Sequence, residues 1–68
     1  MSTSNLSHQT LAEVREQATR YVRGYVSSVD ALAAIDRVAG HPFVGDSLNV
    51  AHAAFDREVS ARIDADAR

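Results

Sequence analysis

A serine and a histidine that lie close together in the chain are the first residues to test for chemistry. His41 and Ser47 flank a segment that also holds the single proline. A serine nucleophile needs an orienting acid and an oxyanion site as well as a histidine, and the Gly-x-Ser-x-Gly turn that exposes such a serine is absent. The chain has no cysteine to act in its place. We therefore expect a protein without catalytic residues, in which Ser47 caps a helix.

Three side chains have the chemistry to bind a metal ion: His41, His52 and Asp56. His52 and Asp56 are one helical turn apart, and zinc accepts two histidines, a carboxylate and a water. The strong spacing His-Glu-x-x-His is absent. His52 also lies about 40° from Leu48 on a helical wheel, at the edge of an apolar stripe. We expect a histidine bonded to the backbone or to Asp56, without metal or cofactor, and rank a metal-dependent function third.

Two consecutive predicted helices, residues 28–39 and 47–64, raise the alternative of a small DNA-binding regulator. Their connection has about seven residues, whereas a helix-turn-helix has three or four. The second of these helices carries Arg57 and Arg62 but also several carboxylates, so phosphate contacts would have few cations. The net charge of the chain is −2. DNA binding is therefore the alternative function, and nucleic acid the less favoured partner.

A second stripe on the predicted third helix favours a protein partner. Val50, Ala54, Arg57, Ala61 and Ala65 recur at helical spacing on the side away from the core. A helix with one core face is normally polar on its other side, whereas this side is small and apolar around one arginine. Alanine permits close approach of another helix, and arginine can form an ion pair across the contact. Since alanine is also simply a good helix former, an ordinary surface remains the other interpretation.

Two tyrosines one helical turn apart, Tyr21 and Tyr25, have the same two interpretations. Each has an apolar ring and a polar hydroxyl, so both fit the edge of a core. Exposed tyrosines are also common anchors of protein interfaces. The predicted interface residues are therefore Val50, Ala54, Arg57, Ala61, Tyr21 and Tyr25.

Three helices, at about residues 8–23, 28–39 and 47–64, must position these side chains. Ser7 is placed to cap the first, with a competing capping box that begins at Thr10. Gly24 suits the left-handed residue that follows a helix end, and Ser27 then opens the second helix. Gly40 ends that helix before the loop. The sequence therefore predicts an all-α fold, a short three-helix bundle. The alternative is an open helical hairpin with a third helix, completed by oligomerisation or by another partner.

The predicted core follows the helical period of the apolar residues. The first helix buries one face, the second buries a shorter one, and the third has the most regular stripe. In order, these faces are Leu11, Val14, Ala18, Tyr21 and Val22; Leu32, Ile35 and Ala39, with Ala31 and Val38 at the edge; and Leu48, Ala51, Phe55, Val59 and Ile63.

The length and composition of the chain limit the stability that this core can give to a monomer. The chain has 68 residues, enough for one domain, in which we expect residues 1–6 and 65–68 to fray. Apolar residues make up 46% of the chain, but many of them are alanine. So small a core is marginal for a monomer, because a short chain buries a small fraction of its surface. A second copy or another protein would add to the burial.

The apolar runs, the start of the chain and the absence of cysteine bear on the location of the protein and its partners. No apolar run approaches the ~18 residues of a membrane span, and the polar start of the chain is unlike a secretory signal. Since small secreted domains usually need disulfides, the absence of cysteine favours the cytoplasm. The sequence thus predicts a non-enzymatic helical protein–protein interaction module with a regulatory or assembly role. We expect it to bind a second copy of itself, another protein, or both. We do not expect it to bind a membrane.

Overall fold

Three helices form the structure, a computed structural model that describes residues 6–40 and 48–66. They are α1 (His8–Val22), α2 (Ser28–Ala39) and α3 (Leu48–Asp66). Every pair of helices is in contact, and the two described ranges hold no strand. The predicted all-α three-helix bundle is therefore confirmed. The third helix ends at Asp66, slightly later than expected, so Ala65 and Asp66 are helical rather than frayed.

Serine side chains cap the first two helices, as predicted. The Ser7 Oγ accepts a hydrogen bond from the backbone N–H of Thr10 at 3.3 Å, so α1 starts at Ser7 and not at the competing box. The Ser27 Oγ accepts from the N–H of Asp30 at 3.1 Å. Each serine satisfies a backbone donor that has no partner within the first turn of its helix.

The break between α1 and α2 falls at Gly24, which has a φ of 82°. The N–H of Gly24 donates to the carbonyl of Tyr21 at 3.0 Å, and that of Tyr25 donates to the carbonyl of Arg20 at 2.8 Å. This pair of bonds is the Schellman motif, whose left-handed residue is usually glycine. The predicted break is confirmed, and one continuous helix is excluded.

The end of α2 is also where the sequence predicts it. Gly40 follows the helix, and its N–H donates to the carbonyl of Asp36 at 2.8 Å. A Cβ atom on residue 40 would lie only 2.9 Å from that carbonyl oxygen, so glycine suits the position. The predictions for His41 and for Ser47 as a helix cap lie outside the described residues.

The helices run up, down and up around their core. Arg62, late in α3, donates to the hydroxyl of Thr19, late in α1, at 3.2 Å, so α1 and α3 point the same way. His52, early in α3, contacts Asp36, late in α2, so these two are antiparallel. The end of α1, the start of α2 and the end of α3 therefore share one end of the bundle. Within the described ranges, no helix combines the length and apolar character required to cross a membrane.

The core is small and rich in alanine. Two polar side chains, Thr10 and Gln17, are buried beside it, and the Gln17 amide donates to the Glu13 carboxylate at 2.7 Å. Leu6, which we expected to fray, is partly buried against the core. Among the described residues, only three of the buried apolar side chains are larger than alanine. The buried apolar residues are Val14, Ala18, Ala31, Ile35, Ala39, Ala51 and Phe55.

The predicted core stripe of α3 is wrong at both ends. Ala51 and Phe55 are buried and Val59 is partly buried, but Leu48 is 42% exposed and Ile63 is 54% exposed. The reason is length: α3 has 19 residues and α2 has 12. At 1.5 Å per residue α3 is about 10 Å longer. Since His52 lies opposite Asp36, most of this excess is at the end of α3, so Ile63 lies beyond the start of α2.

The inner faces of α1 and α2 are rotated slightly from the prediction. In α2 the fully buried positions are Ala31, Ile35 and Ala39, and Leu32 is only half-buried. In α1 the face that carries Val14 and Ala18 also buries Thr10 and Gln17, while Leu11 and Val22 are half-buried. Val14 and Ile35, which the sequence places in the core, are both fully buried.

Candidate interaction surfaces

Most of the exposed large apolar side chains lie at one end of the bundle. Tyr21 is 36% exposed, Tyr25 72% and Val29 74%, in addition to Ile63 on α3. These four residues, which we call the apolar end, come from the end of α1, the start of α2 and the end of α3. Leu48 is the only other large apolar side chain exposed in the described ranges, and it lies at the opposite end.

The apolar end is attached to the core through Tyr21. The ring of Tyr21 lies 5.8 Å from the ring of Phe55, centroid to centroid, with the planes inclined by 56°. This tilted geometry is favourable for aromatic pairs. Tyr21 thus lies at the edge of the core, as one interpretation held, and still presents part of its ring to solvent. Tyr25 is largely exposed and packs less closely.

Charged residues of both signs are close in the chain to the residues of the apolar end. Arg23, Asp30 and Asp64 are exposed, and in the described part of the chain none of them forms an ion pair. Arg20 is different, because its Nε atom lies 2.8 Å from a carboxylate oxygen of Glu16, the pair expected from their spacing. A surface with unpaired charges of both signs can complement a copy of itself.

The structure divides the alanine stripe of α3 between two environments. Val50 and Ala54 are half-buried, and Ala54 packs against the core. Arg57, Ala61 and Ala65 are exposed. The six predicted interface residues therefore do not form one surface: Val50, Ala54 and Arg57 line a groove, Ala61 lies outside it, and the tyrosines belong to the apolar end.

That groove runs between α1 and α3, with a volume of about 530 Å³. Its apolar lining is Leu6, Leu11, Val50, Ala53 and Ala54, and we call it the α1–α3 groove. Asn49, Glu58 and two arginines, Arg15 and Arg57, complete the lining. The contribution of α1 to this groove was not predicted from the sequence. The pairing of Leu6 with Leu11 across the start of a helix was the signal that could have located it.

His52 has a different partner from the one predicted. Its Nε2 atom lies 2.6 Å from an Oδ1 oxygen of Asp36 on α2, while Asp56 is exposed on the same helix as His52. A helical wheel compares residues of one helix only, so it could not indicate a partner on α2. Among the described residues, no three His, Cys, Asp or Glu side chains are grouped for a metal ion.

The arginines of α3 differ in how far they are available to a partner. Arg62 is bound to the Glu58 carboxylate at 2.5 Å and to the carbonyl of Glu58 at 3.1 Å, whereas Arg57 is exposed without an ion pair in the described chain. The cations do not form a continuous basic face on α2 and α3, the helices assigned to DNA in the alternative function.

Comparison with known proteins adds no further information about these surfaces. No family model, curated protein or solved structure matches the chain. Their interpretation rests on the geometry, burial and charge described above.

Proposed function

We propose that this chain is a non-enzymatic protein-interaction module that associates with a second copy of itself through the apolar end. The observation that carries the proposal is the location of Tyr21, Tyr25, Val29 and Ile63 at a single end of the bundle. Isolated exposed apolar residues are ordinary, whereas their concentration on one surface is typical of interaction sites. Such a module serves in regulation or assembly.

The charges around the apolar end favour a second copy as the partner. In a twofold dimer the same surface faces itself, so a surface with charges of both signs can place a cation of one copy opposite an anion of the other. Arg23 on one copy and Asp30 or Asp64 on the other supply both signs. Protein interfaces commonly contain tyrosine together with polar residues.

The small core supports the same partner. In the described part of the chain, four of the seven buried apolar residues are alanine. These alanines contribute little burial, and burial between copies would add to the stability of the fold. Stable interfaces bury about 800 Å² on each partner, and four side chains provide only part of that area. We therefore expect a weak dimer whose population depends on protein concentration.

Thermal unfolding, followed by circular dichroism at two concentrations about fiftyfold apart, tests this function. Because folding and association are coupled, the midpoint of the wild-type protein rises with concentration. In Val29→Glu the midpoint no longer depends on concentration, since a carboxylate lies in the interface. A wild-type midpoint that is the same at both concentrations would contradict self-association.

Gln9→Glu is the matched control for this experiment. Gln9 and Val29 occupy equivalent positions, two residues after the caps of α1 and α2, and both are exposed. An added carboxylate is favourable at either helix start, so neither variant is expected to unfold. Gln9 lies at the other end of the bundle, and its variant keeps the concentration dependence of the wild type. If both variants lost the concentration dependence equally, the added charge, and not its position at the apolar end, would be the cause.

A further inference from the structure

The α1–α3 groove has the dimensions and lining of a site for a short helix. Leu6 and Leu11 line one side, and Val50, Ala53 and Ala54 line the other. Alanine side chains allow the backbone of a helix to approach closely. From Val50 to Arg57 the groove follows α3 for about 10 Å, which corresponds to about two turns of helix. An amphipathic helix places apolar side chains into a groove of this kind.

Two arginines flank this apolar lining, one on each helix. Arg15 on α1 and Arg57 on α3 are exposed, and neither forms an ion pair in the described part of the chain. The remaining charged residue of the groove, Glu58, is already paired with Arg62. The groove is therefore locally positive on a chain with a net charge of −2. Arginine binds carboxylates through two parallel hydrogen bonds, so the complementary ligand is acidic.

We propose that the α1–α3 groove binds an acidic amphipathic helix of another protein, whose apolar side chains enter the groove while its carboxylates bind Arg15 and Arg57. This site is separate from the apolar end, because Leu6 and Val50 lie near the starts of α1 and α3, at the opposite end of the bundle. The groove stays accessible when two copies associate. Binding at the groove can therefore be tested separately from self-association.

Fluorescence anisotropy with a model peptide tests the site directly. The probe is a fluorescein-labelled peptide of about twelve residues, with leucine on one helical face and glutamate on the rest. The reference probe has lysine at every glutamate position. The full chain binds the glutamate peptide, and raising the salt concentration weakens the binding, because charges steer and strengthen the contact. Equal binding of the lysine peptide, or no binding of the glutamate peptide, would overturn the proposal.

A double variant with a matched control tests whether the two arginines bind the peptide. Removing both charges in Arg15→Gln/Arg57→Gln weakens binding about tenfold or more, whereas Arg20→Gln/Arg37→Gln removes the same charge elsewhere and leaves the affinity unchanged. Equal affinities of the two double variants would overturn the role of the groove.

The apolar contact is tested in the same way. Ala53→Glu introduces a carboxylate into the groove at an exposed position and abolishes binding, while Ala33→Glu does the same on α2 without effect. Circular dichroism confirms that all the variants fold. If the peptide fails to bind while Arg15→Gln/Arg57→Gln lowers the mass of the protein in solution, a second copy occupies the groove, and the proposal is wrong.

Discussion

His52 on α3 and Asp36 on α2 approach to 2.6 Å, the Nε2 atom of one to the Oδ1 oxygen of the other. Of the three helix pairs, α2 and α3 share the smallest contact, and this polar pair links the two helices beside their shared apolar core. Its side chains are 39% and 41% exposed, which limits the strength of the interaction because water screens it.

A double-mutant cycle measures that strength. We expect His52→Ala and Asp36→Ala each to lower the free energy of unfolding, with a coupling between them of about 0.5–1 kcal/mol. Urea denaturation of the two single variants and the double variant gives the coupling. A cycle between His52 and Asp56, the partner that helical spacing suggested, serves as the control and is expected to give a coupling near zero. Coupling to Asp56 instead of Asp36 would contradict the structure.

Gly24 is required by the backbone and not by packing. A Cβ atom at this position would meet no atom within 4 Å, but φ is 82°. We therefore expect Gly24→Ala to lower the free energy of unfolding by about 1 kcal/mol, since other L-residues are strained in this region. Gly24→Asn is expected to cost less, because asparagine tolerates left-handed backbone. Urea denaturation compares the two variants, and an alanine variant as stable as the wild type would refute this role.

Two isoleucines that the sequence placed in the same core differ in their surroundings. Ile35 is fully buried, while Ile63 is more than half exposed. Ile35→Ala is expected to cost about 2–5 kcal/mol, through lost burial and the cavity that remains. Ile63→Ala is expected to have a small effect on the monomer. Denaturation at low protein concentration, where association is weak, separates the two, and equal costs would contradict the exposure of Ile63.

The local features of this fold were accessible from the sequence. Ser7, Gly24, Ser27 and Gly40 each act through hydrogen bonds or backbone geometry within a few residues of their own position. The helix boundaries follow from these interactions, and three amphipathic segments with short connections determine the fold class. The apolar period also identified Val14, Ile35 and Phe55 as core residues.

The features that depend on several helices were not accessible in the same way. Leu48 and Ile63 continue the apolar period of α3, and whether another helix covers them depends on how the three helices are aligned. The partner of His52 lies on another helix. Of the apolar end, Tyr21 and Tyr25 were candidates, but Val29 was not, because a single apolar residue off the core face becomes informative only when its neighbours in space are known.

The measurement that tests the central proposal most directly is sedimentation equilibrium of the wild-type protein over a range of concentrations. The chain mass is 7.3 kDa, and the proposal predicts an average mass that rises toward twice this value. Tyr25→Glu, at an exposed position of the apolar end, is expected to keep the monomer mass throughout the same range, and Gln9→Glu to behave as the wild type. A wild-type mass of one chain at every concentration would contradict self-association through the apolar end.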